Sequence, residues 1–360
     1  MTSSPFVPRS VASLLAAITL TCTLTFSVSA SETPPPALPE NTFAYLHIQV
    51  AELRETPNLS VFTQLLNQVR SEASLLSTNY LGIDLTKLTD VTVVVAPFEQ
   101  VVSSNSPDSF PFCVVVNFAQ SFRPNDFISN LPEDWSETTV DGNTLYVGAN
   151  GQALHVASNK TILIGSTPGI NWWLNAEEDE NERSLSQLLA ASEDSGHINV
   201  GVDVRQIPVE LRTGLPVQAD WLNETEFASM DLYLDEVITL GLWLDFGTAE
   251  QTKSASKEVK ALLNQGASFL ASMANDFQAK LRDSDTSPDD AIGNLLALAC
   301  VRQAAEQLEN VEVSTDDATV IVKLEIDSTL LTTTIFAAVS IAEVGREASA
   351  NFEAISEQLK

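Results

Sequence analysis

Histidine and cysteine are scarce: the 360 residues hold three of each, and 18 basic residues stand against 48 acidic ones. The shortage of Lys and Arg excludes nucleic-acid binding, because contact with phosphates needs clustered positive charge. An anionic membrane surface is excluded as a partner for the same reason. The formal net charge of −30 is first a solvation property, which keeps a chain soluble where salt screens its self-repulsion. The cysteines supply no disulfide framework and no C-x-x-C pair. Cys113 in FPFCVVVNF and Cys300 in LLALACVRQ lie in apolar runs, where a thiol behaves as a small core hydrophobe. Two buried, unpaired thiols are expected, although export would permit a bridge.

Catalytic signatures are also missing. The chain has no G-x-S-x-G, H-E-x-x-H, P-loop or dinucleotide fingerprint. Asp245-Phe246-Gly247 spells the magnesium-binding tripeptide of kinases, but no glycine-rich phosphate loop and no H-R-D loop accompany it. It is expected to be a strand end and a turn, and no cofactor is implied. His47, His155 and His197 all fall in strand-like segments far apart in sequence, which points to structural or solvated roles. A close approach of His47 and His197 would require the two parts of the chain to pack face to face. Acidic pairs such as Glu177-Glu178 and Asp316-Asp317 sit among other acids in turns, where nothing holds one carboxyl protonated for acid–base work. Trp172-Trp173 could offer a stacking platform to a sugar, yet helical neighbours point about 100° apart, so one of the two is expected in the core.

What is present begins with an export signal. Arg9 is the only charge in the first 30 residues, an uncharged run follows, and Val28-Ser29-Ala30 closes it with small residues. Residues 1–30 therefore read as a signal peptide cleaved after Ala30, with an uncleaved anchor as the alternative. Residues 31–41, SETPPPALPEN, form a stiff Pro-rich leader outside the core.

Two halves follow, 42–195 and 196–360. In FAYLHIQVAEL, Leu46, Ile48 and Val50 alternate with Tyr45, His47 and Gln49, the pattern of a strand with one buried side. Thr56-Pro57 opens a helix carrying Leu59, Phe62, Leu66, Val69 and Ala73. DVTVVVAP and FPFCVVVNF make a long-looped hairpin, RPNDFISNL a short helix, and TTVDGNTLYVGANGQALHVASNKTILIGS a meander turning at Asp-Gly and Asn-Gly. A helix starts at Thr167-Pro168. The second half brings the strand HINVGVDV, a hairpin turning at Asp235-Glu236, and a long helix opened by the capping box Thr248-x-x-Gln251. Its seam is Val259, Leu263, Gly266, Leu270, Met273, Phe277 and Leu281. A further helix from Ser287-Pro288, a hairpin and a closing helix with a seam from Leu331 to Leu359 complete the chain.

The fold class expected is α+β: mostly antiparallel sheets flanked by helices, in two similar halves, each with the split β-α-β, ferredoxin-like element order. The acidic stretch DSDTSPDD is the one metal candidate. An EF-hand loop starting at Asp283 fails, since its sixth and twelfth positions hold Pro288 and Asn294. Ser287, Pro288, Asp289 and Asp290 suit a helix start, which leaves Asp283 and Asp285 as a weak calcium site.

AYLHIQVAEL, LTDVTVVVAPF, PFCVVVNFAQSFRPNDFISNLP and VDGNTLYVGANGQALHVASNKTILIGS resemble a family of exported proteins of planctomycete bacteria across about residues 43 to 210. The closing FAAVSIAEVGREASANFEAISEQLK is similar to a helix that recurs among them and in pilin-like proteins. The resemblance implies export and supplies neither an activity nor site residues. Together these features describe an exported, acidic, non-catalytic protein acting by contact in the periplasm or at the cell surface, with an envelope protein as a possible partner class. The alternatives are a hydrolase whose site is assembled from distant residues, and a carrier holding an apolar ligand between sheet and helices.

Overall fold

The computed structural model describes residues 36–53, 56, 87–104, 110–129, 131, 133–148, 151–177, 184–191, 196–213, 221–235, 237–282 and 288–327. The strands are β1 (Ala44–Ile48), β2 (Leu88–Val95), β3 (Phe112–Phe118), β4 (Ser136–Val140), β5 (Asn143–Val147), β6 (Gln152–Val156), β7 (Thr161–Ser166), β8 (Ile198–Asp203), β9 (Thr225–Leu234), β10 (Val237–Phe246), β11 (Glu312–Asp316) and β12 (Thr319–Asp327). They form one sheet in the order β11-β12-β10-β9-β8-β1-β2-β3-β7-β6-β5-β4. Every pairing among them is antiparallel. With helices on its faces, this is the expected α+β class. The halves meet edge to edge, where β1 pairs with β8 and Leu46 lies opposite Val200.

The split β-α-β order is not observed. Such a unit inserts a third strand between the two strands that flank its helix. Here β1 and β2 are direct antiparallel neighbours and β3 follows on the far side of β2.

Cross-strand register explains why the sheet holds together. One row of side chains runs Leu154–Ile164–Val114–Val93–Leu46–Val200–Met230–Leu242–Val322–Val313, apolar at every position. Side chains alternate between faces along a strand, so the adjacent row lies on the opposite face. It runs His155–Leu163–Val115–Thr92–His47–Asn199–Asp231–Gly241–Lys323–Glu312. One face is thus apolar throughout, while the other turns from apolar to polar at Thr92.

Both faces carry cover. On the mixed face of the first half, Ile170 of the helix Thr167–Asn175 packs with Cys113, Val115, Leu145, Ala153 and Leu163. Beside it, Leu185 and Leu189 of the helix Leu185–Ala191 pack with Tyr45, Val94 and Phe227. Leu38 joins that cluster and is fully buried, so the end of the Pro-rich leader belongs to the core, contrary to expectation. Its N–H donates to Ser186 Oγ at 2.9 Å. On the apolar face of the second half, Ala255 and Val259 of the 34-residue helix Ala249–Arg282 cover Leu244, Val320 and Val322. That helix, about 50 Å long, runs on to pack Ala267 and Ala274 as an antiparallel hairpin with the helix Pro288–Glu309.

Many local expectations agree with the structure. The β2–β3 hairpin, the β4–β7 meander, the turn after Leu234 and the β11–β12 hairpin all form. Asp141 and Gly142 take positive φ values of 50° and 86°, as an Asp-Gly hairpin turn requires. Thr248 Oγ1 accepts from the Gln251 N–H at 3.3 Å and donates to Gln251 Oε1 at 2.8 Å. Asp245 and Phe246 end β10 and Gly247 follows in a bend. The first strand differs: Tyr45 and His47 are as buried as Ile48, and Val50 begins a short helix, Val50–Leu53. The signal segment, the helix from Leu59 to Ala73, Asp283 and Asp285, and the closing helix lie outside the described residues.

Candidate functional site

The polar stretch of the mixed face is built from both halves. Thr92 comes from β2, His47 from β1, Asn199 from β8 and Asp231 from β9, and all four are buried. His47 Nδ1 is hydrogen-bonded to Thr92 Oγ1 at 2.8 Å. Burial pushes the imidazole down to about 4, so the ring is neutral at physiological pH. Asn199 Nδ2 donates to the Gly196 carbonyl at 3.0 Å. Two residues before Thr92 on the same face, Asp90 Oδ1 accepts from Asn117 Nδ2 at 2.8 Å, and Asn117 Oδ1 accepts from Thr161 at 2.9 Å. Burial raises the Asp90 carboxyl to about 6, and the Asn117 hydrogen bond opposes that shift. Tyr45 is pushed well above the ordinary phenol value by burial and by the Asp231 charge.

Tyr45 also explains Gly201. A Cβ on Gly201 would overlap the Tyr45 ring, so the bare backbone of β8 is the shelf on which the phenol lies. A hydrolase assembled from distant residues would need this His–Asp–Thr set to open onto a cleft. Instead His47 is 3% exposed and Thr92 and Asn199 are 0% exposed. His47 is hydrogen-bonded to Thr92 within the first half, and Asn199 to the Gly196 carbonyl within the second.

Among the described residues, the same face opens farther along β9, β10 and β12. There Tyr233, Asp235, Val237, Thr239, Gly241, Trp243 and Lys323 line a groove of about 240 Å³. Trp243 and Gly241 are two residues apart on β10 and share this face. The six-membered ring of the indole lies across Gly241, where a Cβ would overlap it. The indole therefore occupies the space that a side chain at position 241 would fill. Lys323 stands opposite Gly241 on β12, and Asp235 sits in the β9–β10 turn. The groove thus combines a flat aromatic floor with an ammonium, a carboxylate and two hydroxyls.

His197 links the row to the groove. Its Nδ1 accepts from the Leu234 N–H at 2.9 Å, which leaves the proton of the neutral ring on Nε2. Nε2 lies 3.9 Å from Asp235 Oδ1, and the ring meets Tyr233 edge-on at 6.4 Å. Burial lowers the His197 pKa and Asp235 opposes the shift. His47 lies in β1 and His197 just before its neighbour β8, because the halves join edge to edge: His47 faces Asn199, while the His197 carbonyl accepts from the Gln49 N–H. His155 lies apart, with Nδ1 2.8 Å from the Thr144 carbonyl.

Other sequence candidates are placed without being joined into a site. Trp172 and Trp173 are half-buried and pack against core clusters. Glu177, Asp316 and Asp317 are exposed. Cys113 is fully buried and its thiol is raised by that burial, Cys300 is half-buried, and no disulfide joins them. Among the described residues no three His, Cys, Asp or Glu side chains are grouped to hold a metal, and no helix is long and apolar enough to cross a membrane. Sequence reasoning missed the groove. Its signal was Gly-x-Trp in TLGLWLD, a strand spacing that puts a bare position beside a large ring on one face.

No protein-family model and no curated protein matches the chain. Three solved structures, crystal forms I, III and IV of a protein designated TP0453, match it at 11%, 11% and 12% identity. Each covers 86% of this chain and 99%, 100% and 98% of that protein, with TM-scores of 0.38, 0.42 and 0.42. A likeness at that level carries no conclusion about this chain's fold or function.

Proposed function

We propose that the protein is an exported, non-catalytic binding protein that takes a small molecule into the groove between Tyr233 and Lys323. The observation that carries this reading is the indole of Trp243, laid on Gly241 and ringed by polar groups in an open groove. Small-molecule sites share that composition, with apolar or aromatic contact area and a few polar groups that fix orientation. Against a hydrolase stands the burial of the His47 row, in which His47 is hydrogen-bonded to Thr92 and no member opens to solvent. A carrier role fits the same groove, with the correction that the site lies on an open sheet face with a polar rim.

Export rests on the N-terminal pattern from Arg9 to Ala30, and membership of the planctomycete family rests on the segments quoted above. The two-half reading, 42–195 and 196–360, is supported by β1-β2-β3 and β8-β9-β10 running outward in chain order from the β1·β8 pair. The test is equilibrium dialysis of the purified protein against the small-molecule fraction of its own cell envelope. The wild type should retain a compound that Trp243→Ala does not, with nothing chemically altered. Product formation that depends on His47 would replace this reading with the hydrolase.

A further inference from the structure

We infer that the groove takes a neutral sugar, with one pyranose ring stacked on the indole of Trp243; this rests on the groove reading above. The face of an aromatic ring carries partial negative charge. The C–H bonds on one side of a pyranose carry partial positive charge and form a flat apolar patch of matching size. Because Gly241 has no side chain, the indole extends over that position, and it lines the groove that would receive a flat ring.

The rim argues against other ligand classes. A planar aromatic or a hydrocarbon would cover Lys323 and Thr239 without offering them hydrogen bonds, a penalty incurred for each polar group left without a partner. An anion meets Asp235, Glu312 opposite Lys323, and Glu325 opposite Thr239. A sugar ring carries hydroxyls that both donate and accept, and the Lys323 ammonium and Thr239 hydroxyl offer both partners around the floor. The volume of about 240 Å³ is below the roughly 300–1,000 Å³ of drug-sized pockets. The groove therefore holds one ring, with any further residues of an oligosaccharide outside it.

The experiment is titration calorimetry of the full chain with methyl β-glucoside, methyl β-galactoside, methyl α-mannoside and methyl β-N-acetylglucosaminide. The anilinonaphthalene sulfonate dye and cyclohexanol serve as apolar probes. A ligand of about a dozen heavy atoms at modest efficiency binds with Kd on the order of 1 mM. At least one glycoside is expected to saturate in that range. Trp243→Ala and Gly241→Ala, the second by displacing the ring, should each weaken it at least tenfold. Lys323→Ala should weaken it severalfold with the melting temperature unchanged. Binding of an apolar probe sensitive to Trp243→Ala, with no glycoside bound, overturns the sugar assignment and leaves the groove reading standing. If no probe responds to Trp243→Ala, the sugar assignment and the groove reading both fall.

Discussion

Replacing Asp90 with Asn should expose an acid sensitivity that the wild-type protein conceals. His47 has its pKa lowered from 6.5 to about 4 by burial. Between those values the unfolded chain binds a proton that the folded one does not, so stability falls as pH drops from 6.5 to 4. At 1.36 kcal/mol per unit the loss is about 3 kcal/mol. Asp90 acts in the opposite sense, because burial raises it from 3.8 to about 6. There the folded chain holds the extra proton, so stability rises as pH drops from 6 to 3.8, again by about 3 kcal/mol. The two contributions nearly cancel over the shared window. Asn at position 90 can still accept from Asn117 but does not titrate. The variant should therefore be more stable than wild type at pH 7, by up to about 3 kcal/mol. On acidification to pH 4 it should then lose about 3 kcal/mol more than wild type does. His47→Gln should show the reverse and gain stability toward pH 4. His197, also lowered by burial, adds in the His47 sense to all three proteins and does not alter the comparison. Urea unfolding at pH 7, 6, 5 and 4 measures this. Parallel profiles for wild type and Asp90→Asn, within about 1 kcal/mol, would refute the buried, opposed pair.

Ile162 is fully buried between Val116 and Val156, so Ile162→Ala should cost about 2–5 kcal/mol and lower the melting temperature. Gly201→Ala should cost about 1–3 kcal/mol by displacing the Tyr45 ring. Tyr45→Phe should change stability by less than about 1 kcal/mol, since the buried hydroxyl has no hydrogen-bond partner among the described residues. N-terminal sequencing of the exported protein should begin at Ser31 or within a residue or two, and a mature chain still starting at Met1 would remove the export reading.

Local structure was legible where one short-range rule dominates. Asp141-Gly142, the Thr248–Gln251 cap and the Val-rich runs of β2 and β3 are each set by neighbours a few residues away. Topology was not legible. The element order suited a split unit equally well, and only pairing between residues far apart, such as His47 with Asn199, decides that β1 joins β8. Burial of Tyr45 and His47 follows from that pairing and from Leu185 and Leu189 above, so alternation in FAYLHIQVAEL could not reveal it. Trp172-Trp173 drew notice as a doublet, whereas the indole that lines the groove is Trp243, whose setting depends on a missing side chain two residues away. Asp283 and Asp285 fall outside the described residues, and their calcium role stands as a proposal only.

The central claim is that the mixed face binds its ligand at Trp243 while the His47 row is structural. Indole N–H spectra of the 15N-labelled protein test it directly, because the chain has five tryptophans and a Trp243→Phe variant assigns the relevant signal. On adding the small-molecule fraction of the cell envelope, the Trp243 resonance should shift saturably while those of Trp172 and Trp173 stay in place. Shifts at Trp172 and Trp173 with Trp243 unmoved, or no shift at any indole, would contradict it.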